Sequence, residues 1–217
     1  MTTLVRLEEL VDSAACLAAH GTRVILGITG APGAGKSTLG KQIVDCLGPK
    51  RAVLVPLDGF HLADVVLRAH GLLERKGAIQ TFDDAGYAAL LQRVRGQWAG
   101  ETIYAPDFDR GIEEPIAGSI TVRAEVPLVV TEGNYLLADL GEWPKARACL
   151  TESWFLDPKQ DDRHDRLIAR HMEYGKSEEA ARSWALGSDE TNAQFIESMA
   201  ARAGRVLRLQ NDERSPD

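Results

Sequence analysis

Apolar residues along the chain fall into two rhythms, helical spacing and short unbroken runs. Leu4, Leu7, Leu10, Val11, Ala14, Leu17 and Ala18 recur every three or four residues, which predicts an amphipathic helix over 3–19. Gly21 and Thr22 end it, and Arg23–Thr29 (RVILGIT) reads as a buried strand. A glycine-rich loop follows, then a helix from about Lys36 with Leu39, Ile43 and Leu47 on one face, closed by Gly48-Pro49. Ala52–Leu57 predicts a second strand ending at Asp58, and Tyr87, Leu90, Leu91, Val94 and Trp98 predict a helix over 84–98. Glu125–Thr131 and Ser153–Leu156 read as further buried strands, with a last short one at Val206–Leu209. Between them lie a polar helix over 159–174 and two more near 177–186 and 189–203.

Buried strands alternating with helices predict an α/β fold, a parallel sheet covered on both faces in a three-layer sandwich. Residues 99–124 break the rhythm with Pro106, Gly111, Pro115 and Gly118, and predict an inserted hairpin or lobe. No repeat or linker divides the 217 residues, so one domain is expected over 1–217.

Composition changes this picture little, with 44% apolar and 26% charged residues. Charge changes it more. A net −7 repels nucleic-acid phosphates and anionic lipid, so neither is expected as a partner. Cys16, Cys46 and Cys149 stand in no metal-binding or redox spacing and read as thiols of a reducing compartment. Arg6, Glu8, Glu9 and Asp12 interrupt what a signal peptide would keep apolar, and no run has the length of a membrane span. A cytoplasmic protein is expected.

The chemistry begins at Gly30-Ala31-Pro32-Gly33-Ala34-Gly35-Lys36-Ser37, a complete GxxxxGK[ST] phosphate loop followed by Thr38. Its glycines let backbone N–H groups turn onto phosphates, and the helix behind points its positive end there. Lys36 is placed to reach the terminal phosphates of ATP, and the Ser37 hydroxyl to ligate Mg²⁺. An accidental match in a chain this long has a chance of about one per cent. Neither a guanine-reading NKxD segment nor an LSGGQ-type transporter signature is present.

Asp58 and Glu132 each close a strand, where ligands of parallel sheets gather. Asp58 suits a base that takes the proton of an attacking hydroxyl, a role compatible with its capping the helix predicted near Phe60. Glu132 suits Mg²⁺ or the acceptor, against an ordinary turn residue before Gly133. His61 reads more simply as a structural residue near a helix start. Tyr104, Asp109 and Arg110 combine an aromatic, an acceptor and a donor in the lobe, or else form a turn with a local ion pair. Arg163, Arg166 and Arg170 share a helix face by spacing, which suits either a solvated surface or the charge of a moving phosphoryl group.

Seven segments in order, GAPGAGKST, PLDGFH, RKGAIQTFD, IYAPDFDR, VVTEGNYLL, DRLIARHMEYGKS and SDETNA, resemble the uridine kinase, phosphoribulokinase and bacterial pantothenate kinase group, in its small nucleoside/nucleotide kinase-like branch. The resemblance runs from about residue 20 to 208. It implies a five-stranded parallel sheet, a mobile lid over about 159–190 carrying Arg166 and Arg170, and a homodimer. It implies Asp58 as the acceptor-side base and Glu132 in the Mg²⁺ and acceptor site. Tyr104, Asp109, Arg110 and Lys76 would line the acceptor pocket, with His61 and Tyr135 added from the same segments as Asp58 and Glu132. The lid departs from the uridine kinase pattern, whose arginines are adjacent. The expected activity is transfer of the γ-phosphoryl group of Mg·ATP to a small-molecule alcohol: a sugar or polyol, a pantothenate-like acid or a nucleoside. The alternative is a nucleotide-binding ATPase or regulator with no such acceptor.

Overall fold

The computed structural model describes residues 1–175 and 177–210; Lys176 of the expected lid and the end of the chain from 211 lie outside the described residues. The chain runs β1 (Thr3–Val5), α1 (Leu7–Ala18), β2 (Val24–Gly30), α2 (Lys36–Leu47), β3 (Ala52–Pro56), α3 (Asp64–Ala69) and α4 (Asp84–Arg95). It continues β4 (Thr102–Asp109), β5 (Glu114–Arg123), β6 (Leu128–Glu132), α5 (Trp143–Cys149), β7 (Glu152–Leu156), α6 (Gln160–Glu173), α7 (Glu178–Leu186), α8 (Ser188–Glu197) and β8 (Arg205–Leu209).

Six strands form one parallel sheet in the order β1-β8-β7-β2-β6-β3, one more than the expected five. The extra strand is Thr3–Val5, paired with Leu207–Leu209. Its three residues were expected to open the first helix. Three residues are too few to display a period of two, and Leu4 happens to fall in step with the helical spacing of α1. A very short edge strand also offers little template for unwanted pairing.

The sheet alternates its side chains between two apolar layers. Leu26, Ile28, Val130 and Trp154 face α1 and α2, meeting Leu10, Ala14, Leu39 and Ile43. Ile25, Val55, Val129 and Phe155 face the other layer, with Tyr87 and Leu91 of α4, Trp143 of α5 and Ile196 of α8. Every residue of β2 is buried, as expected of the central strand of a sheet covered on both sides.

Two helices are shorter than their apolar spacing suggests. Helix α4 stops at Arg95 before Gly96, leaving Trp98 67% exposed, and α8 ends at Glu197 ahead of a separate 3₁₀ turn at Ala200–Arg202. The turn-rich segment is an antiparallel hairpin of β4 and β5, whose register shifts between Ala105 and Asp107. Proline at 106 has no N–H to give the ladder, which accounts for the break there. Ile103, Ala105 and Val122 anchor the hairpin in the core. It crosses the 3₁₀ turn Leu57–Phe60 so closely that a Cβ at Gly59 would lie 2.5 Å from the Pro106 carbonyl oxygen. Among the described residues no helix is long and apolar enough to cross a membrane.

Candidate active site

Parallel register aligns the carboxyl ends of three neighbouring strands. Glu132 at the end of β6 sits opposite Ile28 on one side and Pro56 on the other. The loop after β2 and the turn after β3 therefore open on the same edge, which brings residues from 30–37, 57–61 and 132 together.

In the phosphate loop Gly33 adopts a φ of +79°, and a Cβ there would stand 2.7 Å from the Arg163 carbonyl oxygen. Glycine is required twice over, by backbone conformation and by the closeness of α6. Ala31, Pro32 and Ala34 are buried, whereas Thr38 is exposed on the first turn of α2. Lys36 is buried, and its Nζ donates to the carbonyls of Gly30 at 2.9 Å and Ala31 at 3.0 Å. Burial pushes its pKa down to about 8, against the opposing pull of Glu132 and Asp58.

The Ser37 hydroxyl donates to Glu132 Oε1 at 2.8 Å. Glu132 is 4% exposed, and burial, with Asp58 nearby, pushes its pKa up to about 7 while Lys36, Ser37 and Arg110 oppose the rise. A hydroxyl and a carboxylate are the hard oxygen donors that suit Mg²⁺. Among the described residues there is no group of three or more His, Cys, Asp or Glu able to hold a metal. The pair thus fits an ion shared with substrate phosphates rather than one caged by protein alone.

Asp58 caps no helix: its carboxylate accepts from Arg110 Nη2 at 2.6 Å, tying the 3₁₀ turn to the hairpin. Phe108 gathers the surrounding groups. Arg110 stands 5.6 Å and Lys76 5.3 Å from its ring centre, and the His61 ring lies 4.9 Å away. Lys76 also pairs with Asp64 at 2.7 Å and donates to the Glu113 carbonyl. His61 donates from Nδ1 to the Asp58 carbonyl at 2.8 Å and stacks 4.0 Å from Phe82. Burial lowers its pKa, which favours the neutral ring of a structural residue.

Three expected acceptor residues are not brought to this cluster. Tyr135 is 1% exposed, packs among Phe82 and Trp143, and donates its hydroxyl to the Gly77 carbonyl at 2.7 Å. It turns inward because its ring completes the aromatic core, and so it supports the loop that bears Lys76 instead of facing the crevice. Tyr104 is 62% exposed, since alternation along β4 places its neighbours Ile103 and Ala105 inward. Asp109 accepts from the Gly111 N–H at 2.7 Å, a local turn.

On α6 the three arginines separate. Arg163 is buried against Gly33; Arg166 and Arg170 are exposed. An Arg166 guanidinium nitrogen lies 3.8 Å from where a Cβ of Gly35 would stand, and the charges of Arg170 and Arg163 both lower the pKa of Lys36. A cavity of about 540 Å³ opens beside the loop, lined by Ala34, Leu156, Lys159, Arg166, Leu207 and Arg208. Phe108 and Arg208 are not singled out for this site by the sequence, and Arg163 stands there only as one of three arginines on a helix face. The packing of Phe108 against two cations was signalled only by its place between Asp107 and Asp109.

No protein-family model matches the chain. A Schizosaccharomyces pombe protein whose name assigns it provisionally to the uridine kinases is 30% identical over 200 residues, spanning 88% of this chain and 85% of that one. An ATP-dependent kinase-like protein of Aspergillus versicolor is 32% identical over 148 residues, spanning 64% and 86%. A crystal structure from Silicibacter sp. TM1040, provisionally titled a fructose transport system kinase, superposes with a TM-score of 0.81 at 34% identity, over 94% of this chain and 98% of that one. Sequence likeness along most of the chain and a shared sheet lead to one placement: the chain belongs to the P-loop kinases of the uridine kinase, phosphoribulokinase and pantothenate kinase group, and it is a small-molecule phosphotransferase.

Proposed function

We propose that the chain transfers the γ-phosphoryl group of Mg·ATP to a hydroxyl of a small molecule bound between Asp58 and the Phe108 wall. The observation that carries the reading is the meeting of Ser37, Glu132 and Lys36 with Asp58 at one sheet edge. The backbone N–H groups of residues 33–37 and the Lys36 ammonium hold the phosphates. Ser37 and Glu132 hold the metal, which when bound neutralises phosphate charge. Asp58 orients the acceptor hydroxyl and takes its proton as the oxygen bonds to phosphorus and the bond to the departing ADP breaks. Arg166 and Arg170 offset the charge that spreads over the transferred group. Arg110 holds Asp58 in place until the acceptor arrives.

The cavity beside Ala34 receives the rest of the nucleotide. Two exposed free thiols, Cys16 and Cys46, suit work in a reducing cytoplasm.

The test is ADP release from Mg·ATP across nucleosides, fructose and other sugars, polyols and pantothenate, with Lys36→Ala as control. Acceleration by one compound, absent in the variant, supports the reading and names the acceptor. ADP release that no member accelerates shifts weight to a nucleotide-dependent regulator.

A further inference from the structure

Helix α6 is pressed between the phosphate loop and α8. On one side the Gly33 turn rests on it, with the Arg163 carbonyl oxygen 2.7 Å, the Leu167 Cγ 2.8 Å and the Arg163 Cγ 3.1 Å from where a Gly33 Cβ would stand. On the other side, consecutive carboxylates at the start of α8 reach across to it. Glu190 accepts from Arg163 Nη2, pairs with His164 Nε2 at 2.9 Å and accepts from Gln160 Nε2 at 3.2 Å; Asp189 pairs with His171 Nε2 at 2.7 Å. The contacts on α6 run from Gln160 to His171, three turns of helix.

Arg163 is the link between the two sides. Its side chain is 2% exposed, and its Nη1 is buried with no hydrogen-bond partner among the described residues. A buried guanidinium so placed relies on its counter-charge, and Glu190 is the carboxylate that pairs with it. Glu190 in turn is held by His164 and Gln160, so its position is over-determined. Arg166 and Arg170 follow Arg163 on the same helix and inherit their placement from it.

We propose that Glu190 is a positioning residue for phosphoryl transfer: through Arg163 it seats α6 on Gly33 of the phosphate loop and so fixes where Arg166 and Arg170 stand. It touches neither nucleotide nor acceptor. The inference rests on the reading of Arg166 and Arg170 as groups that offset charge on the transferred phosphoryl group. Misplacing such groups by about an ångström costs on the order of a hundredfold in rate. Withdrawing the carboxylate takes from Arg163 its hydrogen-bonded counter-charge and leaves Glu197 to act on it without an ion-pair contact, and α6 shifts to let the guanidinium reach water.

The experiment compares Glu190→Gln, Arg166→Ala and the double variant by kcat, KM for ATP and thermal melting, in the full chain with the acceptor that the panel yields, or by ATP hydrolysis if none does. Glu190→Gln is expected to lower kcat about ten- to a hundredfold, with KM for ATP changed less than about threefold. In the Arg166→Ala background it is expected to cost less than in the parent, because the contribution of Arg166 is already gone and only the placement of Arg170 is left to lose. A melting shift with kcat unchanged overturns the proposal, as does a full multiplicative loss in the double variant. If Glu190→Gln does not fold, Glu190→Asp keeps the charge, draws it back by one methylene, and is held to the same outcomes. Unaltered kcat in both Arg166→Ala and Arg170→Ala would instead remove the reading beneath it, whatever Glu190 does.

Discussion

Ser37 and Glu132 are 95 residues apart in sequence and 2.8 Å apart in space, hydroxyl to carboxylate. One opens the helix behind the phosphate loop and the other closes the neighbouring strand. Their meeting depends on β2 and β6 pairing in register, so the proposed metal site is built by the sheet and not by either loop alone.

If both side chains serve one ion, their losses overlap. Ser37→Ala and Glu132→Gln are each expected to raise the Mg²⁺ concentration needed for half-maximal ADP release and to lower kcat by about a hundredfold. The double variant should be little worse than the poorer single one. Mg²⁺ titrations of the three proteins decide it, and independent, multiplying losses would separate the residues.

Lys36→Met is expected to lower turnover by about 10²–10³ with no fall in melting temperature. Burial already disfavours its charged form, and relief of that cost offsets the two hydrogen bonds lost from its ammonium to the Gly30 and Ala31 carbonyls. A variant that melts lower while its folded fraction works normally would assign Lys36 to structure.

Asp58→Asn keeps the shape of the side chain and removes its capacity to take a proton. A loss of about 10²–10⁴ in kcat, with KM for ATP little changed, is the expected pattern in steady-state kinetics. Full turnover in this variant would end its assignment as base.

The pairing of Lys76 with Asp64 gives a pH signature. The hydrogen bond from Lys76 lowers the Asp64 pKa below its ordinary 3.8, so this contribution to stability is present above that value and is lost as pH falls through the folded-state value. Asp64 is a quarter exposed, which keeps the effect small. Lys76→Met should melt about 1–2 °C lower than the parent at pH 6, and this part of the difference should fade as the pH falls below the ordinary 3.8 and through the lowered folded-state value. A gap that persists unchanged in acid would point to packing on Phe108 instead.

Gly59→Ala puts a methyl group where the hairpin crosses the 3₁₀ turn, and backbone is what it strikes. Denaturant unfolding should show a loss of about 1–3 kcal/mol. Since Arg110 reaches Asp58 across this crossing, activity of the folded fraction should fall as well. Unaltered kinetics would mean that the hairpin yields without moving Arg110.

Legibility from sequence followed locality. The phosphate loop lay in one stretch of eight residues, and the buried strands showed as apolar runs, so the sandwich and the strand-end carboxylates were visible. Strand β1 was not, because three residues joined to a helical stripe carry no rhythm of their own. Spacing put Arg163 on a face with Arg166 and Arg170 but could not reveal that it is buried, since that depends on Gly33 and Glu190 arriving from distant elements. Tyr135 misled for the opposite reason: it adjoins a strand-end motif, yet its ring is spent in the aromatic core.

The loop and the arginine helix spring from one line of the sheet, for Gly30 at the end of β2 lies opposite Leu156 at the end of β7. That line is a fulcrum. Arg163 sits near it, whereas Arg170 lies about 10 Å farther along the helix axis. A rotation of α6 by about ten degrees would thus carry Arg170 through roughly 2 Å more than Arg163. Glu190 grips the helix beside that line and Asp189 holds its far end through His171, so Arg170 keeps its place only while both carboxylates keep theirs.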